Sequence, residues 1–117
     1  MKELEVGDRV YLKILRQYSS EIRNYLFSEV VRVTKTQAIL ANGIKLKREI
    51  ISSYYSSDYY AQIGDIYSDW RIVTDEILAE FKEWKETKEI NDWFSNKVFT
   101  NEEKKQIYHI FNKENND

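Results

Sequence analysis

The dipeptide Asn42-Gly43, set between two short runs of alternating apolar residues, constrains this chain more than any other feature. A two-residue type I′ hairpin turn needs positive φ at both central positions, and Asn-Gly tolerates that best. Residues 38–41 and 44–48 therefore read as paired strands. In this pairing Ala41 faces Ile44, Leu40 faces Lys45 and Ile39 faces Leu46, and directly opposed residues share a face. Ile39, Ala41, Ile44 and Leu46 are expected in the core, with Lys45 and Lys47 in solvent. The preceding strand, residues 25–34, must bring Val31 and Val33 to the same core. That requires an odd-numbered loop, and a three-residue connection at Lys35-Thr36-Gln37 with a bulge supplies it. A two-residue turn would point Arg32 inward, a costly place for an unpaired charge. Arg32, Lys45 and Lys47 are then expected on one outer face.

The same logic extends along the chain. Arg9–Leu15 alternates, with Val10, Leu12 and Ile14 on one side and Tyr11 and Lys13 on the other, after a turn signal at Gly7-Asp8. Residues 16–24 are polar and read as a loop. Residues 52–60 are rich in Tyr and Ser. Short strands are expected at 61–63 and 66–73 around Gly64-Asp65, with Trp70 packed inward. The period then changes. Thr74 reads as an N-cap, Asp75 and Glu76 suit a first turn, and Ile77, Leu78, Phe81 and Trp84 form a helical stripe. A break is expected near residues 87–91, with the stripe resuming through Ile90, Trp93 and Phe94. Thr100-Asn101-Glu102-Glu103 is a capping box. It opens a terminal helix whose buried stripe is expected to be Ile107, Tyr108 and Phe111, with a frayed tail at 114–117. The expected architecture is α+β in a single domain over 1–117. A small β-barrel with its Tyr/Ser segment covers 1–73, and helices over 74–113 pack on it.

Three Trp, nine Tyr and five Phe can build the core, since each ring buries a large area. There is no Cys, which excludes disulfide and thiolate–metal frameworks. The single histidine, His109, has no nucleophile or ligand beside it, and its three helical neighbours of note are Ile107, Tyr108 and Phe111. The three glycines are scattered, so there is no phosphate-cradling loop. The expectation is a protein that is not an enzyme, with no cofactor and no metal site. No apolar run reaches the length of a membrane span, and the opening MKELEVGDRV has no signal-peptide core, so a cytoplasmic location and no membrane partner are expected.

Charge divides the chain. Residues 1–50 carry ten Lys/Arg against six Asp/Glu, and residues 51–117 carry eight against fourteen. Three surfaces follow. The first is basic: Arg32, Lys45, Lys47, Arg48 and Arg23 could neutralise phosphates, although alternating lysines also serve to blunt a strand edge. The second is the set Tyr54, Tyr55, Tyr59 and Tyr60, which could grip a partner through rigid amphipathic rings or pack under the barrel. The third is a ladder of Glu76, Glu80, Glu83 and Glu86, which could imitate a row of phosphates or form an ordinary solvated face.

The segments Val6-Gly7-Asp8-Arg9-Val10, Val31-Arg32-Val33-Thr34-Lys35-Thr36-Gln37 and Asn42-Gly43-Ile44-Lys45-Leu46-Lys47-Arg48 resemble a pattern in small bacteriophage and prophage proteins. The resemblance covers roughly residues 6–50. It is similar in part to KOW-type barrels, but Glu29-Val30-Val31 stands where those carry a glycine. The resemblance implies an SH3-like barrel, a mobile-element origin and a bacterial host cytoplasm, and it carries over no catalytic residue. Two expectations follow: a module binding nucleic acid or a nucleoprotein, or a protein–protein inhibitor of a bacterial host nuclease or defence effector.

Overall fold

The computed structural model describes residues 2–52, 54 and 57–113. Six strands follow one another around a closed antiparallel barrel, β6 returning to pair with β1. They are β1 (Arg9–Leu15), β2 (Ile22–Val33), β3 (Gln37–Leu40), β4 (Lys45–Lys47), β5 (Tyr60–Gln62) and β6 (Asp65–Ile72). Two helices follow, α1 (Asp75–Asn96) and α2 (Asn101–Asn112). The chain forms two compact units, Met1–Phe81 and Lys82–Asp117. The barrel encloses Leu4, Val10, Val30, Ala38, Leu40, Leu46, Tyr60 and Trp70. Its two buried polar tips are satisfied: the Trp70 indole N–H donates to Gln62 Oε1 (2.9 Å) and the Tyr60 hydroxyl to the Lys2 carbonyl (3.1 Å).

The turn at Asn42-Gly43 differs from the expected type. Gly43 has φ 88°, but Asn42 is not at positive φ, which a type I′ turn would require. Instead Leu40 and Ile44 close a three-residue loop, with Leu40 N–H donating to the Ile44 carbonyl (2.8 Å) and Gly43 N–H to the Leu40 carbonyl (2.9 Å). Asn42 Oδ1 accepts from Ile44 N–H (3.1 Å), so the side chain stabilises the turn without a left-handed backbone. Ala38 consequently faces Leu46, and Ile39 faces Lys45. Ala38 and Leu40 enter the core, while Ile39 lies half-buried on the outside and Ala41 is exposed.

A compensating change occurs one strand earlier. The connection at Lys35-Thr36 has two residues, not three, and Thr34 N–H donates to the Gln37 carbonyl (2.8 Å). Arg32 stays outside nonetheless, because β2 carries its bulge at Val31. Val30 opposes Leu40, Val33 opposes Ala38, and Val31 is the extra residue, 52% exposed. The bulge also explains the length of β2. Its residues 22–29 pair with β1 and its residues 30–33 with β3, so the strand turns a barrel corner. This register predicts that Val30→Ala costs about 2 kcal/mol, from lost burial plus a cavity. Val31→Ala should stay within about 0.5 kcal/mol. Urea unfolding of both variants checks it, and the reverse order would place Val31 in the core.

The other departures are local. β2 starts at Ile22, extending the hairpin with β1 into the segment expected as loop. Thr74 caps α1, accepting from Ile77 N–H at 3.2 Å. The helix runs unbroken through residues 87–91, where a break was expected. The capping box at Thr100 forms, with Glu103 N–H to Thr100 Oγ1 and Thr100 N–H to Glu103 Oε1 both at 3.1 Å. The stripe expected to be buried in α2 is not: no residue of α2 is buried, and Tyr108 and Phe111 are 62% and 73% exposed. The expected tail at 114–117 lies outside the described residues.

The first turns of α1 cover the outer face of the β1–β2 hairpin. Tyr11 opposes Phe27 and Lys13 opposes Tyr25 on that face. Phe81 meets the rings of Tyr25 and Phe27 edge-on, at 5.3 and 4.9 Å between centroids. Glu80 accepts from the Tyr25 hydroxyl (2.8 Å) and lies 2.9 Å from the Lys13 ammonium. Burial, then the Glu80 carboxylate, pushes the Tyr25 hydroxyl pKa up. Hydrogen bonding from Lys13, then from Tyr25, holds the Glu80 carboxyl below its ordinary value despite partial desolvation. A lowered folded-state pKa stabilises above the ordinary glutamate value and loses that contribution as pH falls through the folded one. The melting-temperature advantage of the wild type over Glu80→Gln should therefore be full near neutrality and shrink below about pH 4. A constant gap across that range would contradict the account.

Candidate nucleic-acid interface

β4 is only Lys45-Leu46-Lys47, and the burial of Leu46 forces both lysines outward. The register extends this into two rows across the sheet. Arg32 opposes Ile39, which opposes Lys45, and Gln37 opposes Lys47. Adjacent strands lie ~4.8 Å apart and alternate residues on a strand ~6.7 Å apart. Arg32 and Lys45 are thus on the order of 10 Å apart across the face, with Lys47 one step along the strand. All three are exposed, and among the described residues none of them makes an ion pair. Lys13, Arg16 and Lys97 each have a carboxylate within 3.4 Å. The charge on the Arg32–Lys45–Lys47 face is therefore presented outward, where an anion can meet it.

Lys35 joins this face, although the sequence pattern did not single it out. It sits in the two-residue turn before Gln37, the residue opposite Lys47, and lines an open hollow of ≈ 390 Å³ together with Lys47, Thr36 and Gln37. Glu3 and Glu49 also line the hollow and weaken the positive field there.

Two residues of the expected basic set differ from the other three: Arg48 lines the same hollow as Lys35 and Lys47 but is engaged, and Arg23 is remote. Arg48 is half-buried and committed to backbone: its Nε donates to the Leu4 carbonyl (2.7 Å) and its Nη1 to the Thr34 carbonyl (3.2 Å). It clips the N-terminal segment to the β2–β3 turn, with Glu3 3.8 Å away. Arg23 lies near the start of β2, nine residues from Arg32 and thus up to ~30 Å away along the strand. It belongs to the β1–β2 hairpin.

The tyrosines do not form one surface. Tyr60 is a core residue, 1% exposed and opposite Trp70, so burial removes it from the candidate docking set. Tyr59 is half-buried and bonds Ile51 through both backbone groups (2.7 and 3.0 Å). Tyr54 is 93% exposed. Tyr55 lies outside the described residues. On the basic face itself, Ile39 and Gln37 occupy the positions where a base-stacking site would carry rings. The arrangement is suited to phosphates and not to base recognition.

Elsewhere, His109 lies exposed on α2 with its ring 5.5 Å from that of Tyr108. The glutamate ladder is interrupted at Glu80, which is engaged by Lys13 and Tyr25. Among the described residues no helix is long and apolar enough to cross a membrane. Comparison of the chain with protein-family models, with curated proteins and with solved structures finds no match.

Proposed function

We propose that this chain is a non-catalytic, phage-type accessory binding protein. In this reading an SH3-like barrel contacts the backbone of nucleic acid through Arg32, Lys45 and Lys47, with Lys35 at the edge of the site. The observation that supports it is the exposed face on which these cations stand with no carboxylate partner among the described residues. Phosphate contacts fix position and carry no sequence information, so binding should be indifferent to sequence. A total charge of −2, with Glu3 and Glu49 beside the site, keeps the affinity modest. It should fall in the non-specific range of ~10⁻⁴–10⁻⁶ M at physiological salt.

The test is competition between two single-stranded oligonucleotides of equal length and unrelated sequence. Equal displacement supports backbone binding. A preference beyond about tenfold would require base contacts that this face does not offer. If neither oligonucleotide binds, the partner is a protein, and a host nuclease or defence effector becomes the target to seek.

A further inference from the structure

The unit Lys82–Asp117 holds two apolar surfaces that stay open to solvent, although Trp93 and Phe94 pack in part against each other and against Phe99. On α1, Ile90, Trp93 and Phe94 line an open groove of ≈ 460 Å³ whose other lining residues are Glu86 and Glu89. These three side chains are each about half exposed. On α2, Tyr108 and Phe111 lie along a face that also includes Ile107, and they are 62% and 73% exposed. The two surfaces differ in sign. Lys104 precedes Ile107 and Tyr108 by three and four residues, so it stands on the same face one turn earlier, and Lys105 stands one turn before Tyr108. The acid of that face, Glu103, is already held by Lys97 at 3.2 Å and by Thr100. The groove on α1 is therefore apolar with Glu86 and Glu89 at its edge, the cation that lies over it, Lys97 at 5.0 Å from the Trp93 ring, being paired with Glu103, and the stripe on α2 is apolar with a basic edge.

We propose that two copies of this chain associate through this unit, the α2 stripe of each seating in the α1 groove of the other. Such an exchange is reciprocal, as a twofold interface requires. The area suffices. Five side chains on each copy, each exposing on the order of 100 Å², give ~1,000 Å² across a pair, the lower bound of a specific interface. The Glu86/Glu89 and Lys104/Lys105 pairs supply the electrostatic match that selects a second copy over an unrelated apolar surface.

Sedimentation equilibrium of the full chain across a range of concentrations tests this, with circular dichroism as the check on folding. The expected result is a species of twice 14.1 kDa that dissociates on dilution. Glu86→Lys with Glu89→Lys should weaken association at least tenfold, as should Lys104→Glu with Lys105→Glu. An equimolar mixture of the two variants should restore it, because each groove then meets a stripe of opposite sign. A chain that stays monomeric at every concentration overturns the proposal. So does a dimer that neither charge reversal weakens, or two reversed variants that fail to associate when mixed. A monomer that instead binds anionic phospholipid vesicles through Phe111 would assign the surface to a membrane and equally overturn it.

Discussion

Trp70→Ala is expected to be the most destabilising single truncation in the barrel. The indole is fully enclosed, the largest side chain in the core, and sits opposite Tyr60 across β5 and β6. Truncating a buried tryptophan costs ~3–5 kcal/mol through lost burial and the cavity left behind. The Gln62 Oε1 that accepts from the indole N–H would also lose its partner, and an orphaned polar atom in a half-buried site adds to the loss. Against a typical total of about 5–15 kcal/mol, that loss is a large fraction of the stability, and the whole of it at the lower end. Urea titration followed by far-ultraviolet circular dichroism measures the effect. Trp70→Phe, which keeps one ring and loses the N–H donor with part of the volume, should cost less than Trp70→Ala. A loss under about 1 kcal/mol for Trp70→Ala would mean that the core is not built around this residue.

Much of this architecture was legible in the sequence, for definite physical reasons. Alternation located β1, the turn signal at Gly64-Asp65 located β5 and β6, and capping chemistry located the starts of both helices. The loop lengths were not legible, because Asn42-Gly43 is compatible with two turns. Whether asparagine adopts a left-handed backbone depends on the register that the rest of the sheet imposes. Here the sheet selects a three-residue loop, a two-residue turn and a bulge at Val31, whose effects cancel for Arg32, Lys45 and Lys47. The outward basic face was thus reached through a register that the structure corrects. Leu4 was missed because one apolar residue between two glutamates has no period. Its burial follows from backbone pairing with Arg48, 44 residues away. Tyr60 could not be distinguished from its neighbours in a run of tyrosines, since its orientation depends on its pairing with Trp70. The apolar stripe of α2 was visible as a pattern, but a pattern does not say what covers it.

The second large effect concerns the basic face. Lys45→Glu with Lys47→Glu reverses two charges of the face, that of Lys47 beside Glu3 and Glu49, and so turns the site from attractive to repulsive for phosphate. Both side chains point away from the core, so stability should change by no more than about 0.5 kcal/mol. Oligonucleotide affinity should fall at least tenfold, and Arg32→Glu added to the pair should abolish it. Preserved affinity in a folded double variant would remove these residues from the interface.

The most direct test of the proposed function is the salt dependence of binding by the unmodified chain. Fluorescence anisotropy with a labelled single-stranded oligonucleotide, repeated between about 50 and 200 mM salt, reads it. Each phosphate contact on a single strand contributes a slope of about −0.7 in log affinity against log salt, so three contacts predict about −2. No binding at the lowest salt, or an affinity that does not change with salt, would contradict the account.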